Sequence, residues 1–180
     1  GSYWRALDRD MAYPASFVQA LTEAGWLGAL IPEDFGGSGL PLSAAAVILE
    51  EIHRSGGNAG ACHAQMYTMG TLLRHGSEAQ KRQYLPKIAD GTLRLQAFGV
   101  TEPSSGTDTG ALRTTATPIN EGPHAGKYRI SGTKIYITFG EHEAAENIIH
   151  LVLARLPGAP EGSRGISLFI VPKFHVEQDG

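Results

Sequence analysis

The chain has 180 residues, 42% of them hydrophobic, enough for one ordinary domain or two small ones around a packed core. A formal net charge of -3 supplies no broad basic footprint for a nucleic-acid backbone, and the single cysteine, Cys62, excludes an internal disulfide and any Cys-x-x-Cys metal or redox pair. No apolar run approaches the roughly 20 residues of a membrane span, while 23 glycines announce frequent turns and close backbone approaches.

In chain order, the opening Gly1-Ser2 reads as a cloning scar, which would leave a natural start and any targeting signal outside this sequence. Pro14 suits a first helical turn, Phe17, Val18 and Leu21 follow at helical spacing, and Gly25 offers a stop. Residues 26–40 read as a loop, and Ser43 to Arg54 as a second helix closed by Gly56-Gly57. A third helix is expected from about Ala59 to His75. Ser77 with Gln80 has the capping-box pattern and starts a shorter helix toward Asp90-Gly91, with Pro86 placed to kink or shorten it. From Leu93 the period changes to short apolar or alternating runs between Gly, Pro and Asn, which predicts strands near 94–101, 113–117, 127–131, 133–138, 147–155 and 165–172. The expected fold class is therefore α+β, with an N-terminal helical domain over 1–91 and a predominantly antiparallel β domain over 92–180.

Chemistry concentrates in Phe98-Gly99-Val100-Thr101-Glu102-Pro103-Ser104-Ser105-Gly106-Thr107-Asp108, which leaves a strand and enters a hydroxyl-rich, glycine-containing turn where backbone N–H groups can approach a polar ligand. Alone, such a segment is also an ordinary polar loop at a strand end. Elsewhere, His142-Glu143-Ala144-Ala145-Glu146 begins like a zinc-protease motif but has Glu146 where the second histidine must stand, so it cannot make that site. Cys62, Met66 and Met69 read as core residues and His63 as an ordinary helix residue, and no metal site is expected.

The Val-Thr-Glu-Pro segment resembles the signature of acyl-CoA dehydrogenases, and three further segments match that family in order. They are Ile31-Pro32-Glu33-Asp34-Phe35-Gly36-Gly37-Ser38-Gly39, His75-Gly76-Ser77-Glu78-Ala79-Gln80-Lys81 through Gly91, and Ile130-Ser131-Gly132-Thr133-Lys134-Ile135-Tyr136-Ile137-Thr138. The resemblance implies an N-terminal helical segment and a β-barrel-like middle domain that binds FAD, with a C-terminal helical domain, the seat of the catalytic base, absent from these residues. Carried over by position, it implies a cofactor site formed by Phe98, Val100, Thr101, Gly106, Thr107, Tyr136, Ile137 and Thr138, with Thr107 also on the acyl-CoA side and no catalytic residue within the chain. Thr107 stands where the family more often has serine, and Tyr136 where it more often has tryptophan. The longer loop before Lys127, the stretch 140–150 and Gly165 to Phe174 resemble the subgroup that includes 3-methylmercaptopropionyl-CoA dehydrogenases.

The activity so implied is FAD-dependent α,β-dehydrogenation of an acyl-CoA thioester, with electron-transfer flavoprotein as electron acceptor and a homodimer or homotetramer as the whole protein. The 180 residues alone are expected to be inactive. A flavin-dependent oxidase or hydroxylase of the same fold remains an alternative, as does a noncatalytic flavin- or acyl-CoA-binding module. Neither nucleic acid nor a membrane span is expected. The expected compartment is the bacterial cytoplasm, with the mitochondrial matrix open because the natural start is not in view.

Overall fold

A computed structural model of the chain describes residues 1–143 and 145–175. The helical part holds α1 (Ser2–Asp10), α2 (Ala15–Glu23), α3 (Leu42–Arg54), α4 (Gly60–His75) and α5 (Glu78–Asp90). Short 3₁₀ turns at Trp26–Gly28 and Glu33–Phe35 punctuate the expected loop between α2 and α3. The capping box forms as read, with Ser77 Oγ accepting from the Gln80 N–H at 3.2 Å and the Gln80 side chain accepting from the Ser77 N–H at 2.9 Å. Pro86 neither breaks nor shortens α5, because Leu85 and Ile88 on either side of it are fully buried and hold the helix in place. The helix ends at Gly91, whose φ of 88° lies in the left-handed region that closes a helix without a Cβ penalty.

Among the described residues one sheet follows, made of β1 (Leu93–Gly99), β2 (Thr115–Pro118), β3 (Tyr128–Ser131), β4 (Asn147–Arg155) and β5 (Ile166–Pro172). The expectation of a mainly antiparallel, barrel-like domain is not met: the sheet is mixed and does not close. β4 runs parallel to β1, with Val152 opposite Gly99, and meets β2 in parallel at Thr115 and Arg155. Antiparallel pairing is confined to β2 with β3 and β4 with β5. The reason is topological, since the chain leaves β1, makes the signature loop and the β2–β3 hairpin, and only then returns to lay β4 beside β1 in the same direction.

The expected strand over 133–138 is also absent. Tyr136 (φ 57°) and Phe139 (φ 53°) both adopt left-handed backbone, which no ladder accommodates. This segment hydrogen-bonds instead to the signature loop. The two halves share their packing. Met69 and Leu72 of α4, Leu85 and Ile88 of α5, Leu93 of β1 and Ile149 and Leu151 of β4 form one buried cluster. A second, mostly helical cluster contains Val18, Leu27, Ile52, Cys62 and Met66, so Cys62, Met66 and Met69 are core residues. Each large side chain buried there contributes about 1.5–3 kcal/mol.

Candidate functional site

The signature loop is built around a buried carboxylate. Glu102 is 5% exposed. Its Oε1 accepts from the Thr114 N–H at 3.0 Å, from the Thr114 hydroxyl and from the Lys134 ammonium at 2.8 Å, while Oε2 accepts from the Arg113 N–H at 2.7 Å. Burial alone would push this carboxyl up, but Lys134, the Thr114 hydroxyl and the two backbone donors outweigh it and hold the pKa down at about 2. Glu102 is thus a fixed anion and the keystone of the loop, with no oxygen free for proton abstraction.

Lys134 spans the gap to the second matched segment. Its ammonium also donates to the Val100 carbonyl at 3.1 Å, and the Ile135 N–H donates to the Thr101 carbonyl at 3.0 Å. These bonds lay Lys134 and Ile135 alongside Val100 and Thr101. Gly132 makes the approach possible, because a Cβ there would stand 2.9 Å from the Thr114 Cα. The turn beyond Glu102 is closed by the Glu102–Ser105 backbone pair and by the Ser105 hydroxyl donating to the Asp108 carbonyl at 2.7 Å.

Of the residues read as a cofactor site, Val100 and Thr101 are half-buried and joined directly to the 134–138 segment. Phe98 is half-buried at the end of β1, its ring tilted against Tyr67 of α4 at 6.3 Å. Ile137 is half-buried, Thr138 is exposed, and Tyr136 is 90% exposed. Gly106 and Thr107 are exposed on the turn, where the Thr107 carbonyl accepts from the Thr109 N–H rather than reaching the 134–138 segment. The result is a buried, charge-paired frame carrying a bare face of hydroxyls and one aromatic ring.

Sequence reasoning missed the frame's other members. Thr114 and Arg113 sit in a stretch read only as strand, and Lys134 was legible as part of a matched motif but not as the partner of Glu102. His150 was not singled out. Its two ring nitrogens lie 2.8 Å from the Gly140 carbonyl and 3.1 Å from the Val171 carbonyl, next to the Tyr136–Gly140 turn. The discounted His142 stacks on Tyr13 at 4.6 Å, and among the described residues no group of His, Cys, Asp and Glu could hold a metal ion.

This frame and face carry the segments that define a family. The sequence model described as "Acyl-CoA dehydrogenase, N-terminal domain" matches residues 2–92 and that described as "Acyl-CoA dehydrogenase, middle domain" matches residues 97–179, so the chain belongs to the acyl-CoA dehydrogenase family. It is 44% identical over 171 residues to a 3-methylmercaptopropionyl-CoA dehydrogenase of Ruegeria pomeroyi, covering 93% of this chain and 28% of that protein. The fold resembles an acyl-CoA dehydrogenase from Geobacillus kaustophilus with a TM-score of 0.77 at 28% identity, over 96% of this chain and 43% of that one. It also resembles an acyl-CoA dehydrogenase complexed with FAD from Bacillus anthracis, with a TM-score of 0.75 at 33% identity, over 95% of this chain and 27% of that one. The chain therefore spans between 27% and 43% of the length of these relatives.

Proposed function

We propose that these residues are the flavin-positioning part of an FAD-dependent acyl-CoA dehydrogenase, which forms a double bond between the α and β carbons of an acyl-CoA thioester. The observation that supports this reading is the coupling of two matched segments through Lys134 and Ile135, and Val100, Thr101, Tyr136 and Thr138 are assigned to one cofactor face on that basis. Its donor set suits an isoalloxazine. Hydroxyls of Thr101 and Thr138 can donate to ring heteroatoms, Tyr136 offers an aromatic plane with little else covering it, and the frame beneath holds both segments at fixed spacing. When bound, FAD supplies the hydride acceptor for the β hydrogen. Phe98, Gly106 and Ile137 flank that face, and Thr107 is assigned to the acyl-CoA side.

The chain's own residues would orient the cofactor and exclude water from one side of it. Proton abstraction from the α carbon is assigned outside these 180 residues, since Glu102 is fully engaged and Asp108 lies on the exposed turn. Electron-transfer flavoprotein is the proposed acceptor. Exposed Trp26, Leu40 and Val47 line one apolar surface that supports self-association of the whole protein. Bacterial cytoplasm is the proposed compartment, and no helix among the described residues is long and apolar enough to cross a membrane.

The test is to titrate the 180-residue polypeptide with FAD, following flavin fluorescence, and then to add acyl-CoA anaerobically while following flavin absorbance. Saturable FAD binding and an acyl-CoA-induced spectral shift without bleaching are expected. Failure to bind FAD would overturn the cofactor assignment, and rapid bleaching with enoyl-CoA formation would show that a base lies within these residues.

A further inference from the structure

The turn that carries Tyr136, Ile137 and Thr138 needs an anchor at its far end. Lys134 and Ile135 fix where it begins. Where it ends, the Gly140 N–H closes back on the Ile137 carbonyl at 3.1 Å, and the Gly140 carbonyl faces His150 Nε2 at 2.8 Å. The other ring nitrogen of His150, Nδ1, faces the Val171 carbonyl of β5 at 3.1 Å. Both partners are backbone carbonyls, which accept and cannot donate. A neutral imidazole carries one N–H and can satisfy only one of them, leaving a lone pair aimed at the other, whereas the imidazolium donates to both.

We propose that His150 is a positioning residue for the cofactor-facing turn, tying Gly140 to β5 through both ring nitrogens when protonated and through one when neutral. This rests on the reading of residues 136–138 as part of the flavin face. His142, in the turn itself, is electrostatically coupled to His150, and Arg94 of β1, Glu141 and Lys173 in turn act on His142. Lys173 is paired with Glu141 across the same junction, so it adds no unbalanced charge there. His142 does not mimic the effect, because burial foremost and then Arg94 disfavour its charged form.

The experiment is amide hydrogen exchange at Gly140 with imidazole nitrogen NMR of the apo-polypeptide, compared at about pH 5.5 and about pH 8. Wild type is expected to show both His150 nitrogens protonated at the lower pH, and Gly140 protection, corrected for intrinsic exchange, roughly tenfold higher there, the scale of one charge-assisted hydrogen bond. His150→Gln, which keeps an amide donor at the site but cannot take up a proton, should abolish the pH dependence of that protection. Gly140 protection that is independent of pH in wild type, or a dependence that persists in His150→Gln, would overturn the proposal. FAD affinity provides the second readout. A wild-type dissociation constant that rises with pH, flat in His150→Gln, supports the positioning role, and one that ignores pH while FAD binds sinks it. Absence of any FAD binding, with Gly140 protection still following His150, would instead refute the flavin reading and leave the tie between Gly140 and β5 standing.

Discussion

The two faces of the signature loop follow opposite rules. On the inner side, Glu102, Thr114 and Lys134 satisfy one another in a site where Glu102 is 5% exposed and the Lys134 side chain 12%. On the outer side, Tyr136, Thr138 and Thr107 stand open to solvent, with Tyr136 in left-handed backbone. The inner side spends its polar groups on the fold, while the outer side keeps them available. The burial pattern thus separates a rigid part from an exposed one, as presenting hydroxyls and a ring at fixed spacing to the proposed flavin requires.

Mutations should separate them too. Glu102→Gln keeps the side-chain shape but leaves the Lys134 ammonium facing a neutral amide in a largely buried site, and should cost about 3–5 kcal/mol of stability, read by urea unfolding. A loss below the error of that measurement would break the contrast, because the inner network would then be ornamental. Next in size is the pH effect. Glu102 has a folded-state pKa held down at about 2, so its stabilisation is fully present above the ordinary carboxyl range near 4.5 and is lost as pH falls through that window toward about 2. The shift corresponds to about 3 kcal/mol. Wild type should lose that much relative to Glu102→Gln between those limits, and parallel acid curves would contradict it.

Gly132→Ala comes third. A Cβ there meets the Thr114 backbone, so the β3 end and the Glu102 network must separate, at a cost of ~1–3 kcal/mol. The outer face should behave differently. Thr138→Val leaves the turn intact and should not move the unfolding midpoint, yet weaken FAD binding by about 0.5–1.5 kcal/mol through loss of one donor. A Thr138→Val protein that loses stability but not affinity would invert the proposed division. The smallest effect concerns the core: burial pushes the Cys62 thiol up to about 11, so labelling by a thiol reagent at neutral pH should wait for unfolding.

The helices from α2 to α5 were legible in the sequence because their signals are local: Phe17, Val18 and Leu21 at helical spacing, the Ser77–Gln80 box, and Gly91 as a stop. α1 was not, since Ser2–Asp10 buries no residue and depends on Trp4 meeting Phe17 edge-on at 5.0 Å. The sheet's direction escaped for a different reason. Whether β1 and β4 run parallel depends on where the chain returns after the hairpin, and no short stretch encodes that. Residues 133–138 alternate like a strand, but Lys134 is drawn to Glu102, 32 residues away in sequence, and the segment follows it out of the sheet. The proposed face residues come from resemblance alone, whereas the frame beside them was hidden. Thr114 and His150 carry no motif, and their roles arise only where distant backbone carbonyls and carboxylates converge.

The central claim is that a self-sufficient inner frame presents Val100, Thr101, Tyr136 and Thr138 to a flavin. The most direct test is a ¹H–¹⁵N correlation spectrum of the polypeptide titrated with FAD. Shifts should concentrate at Val100, Thr101 and residues 136–138, with Thr114 and the Lys134 amide nearly still, because the frame is already formed before the ligand arrives. Shifts that instead cluster on the exposed apolar surface of Trp26 and Val47, or that spread through Arg113, Thr114 and Lys134 as the frame rebuilds, would contradict it.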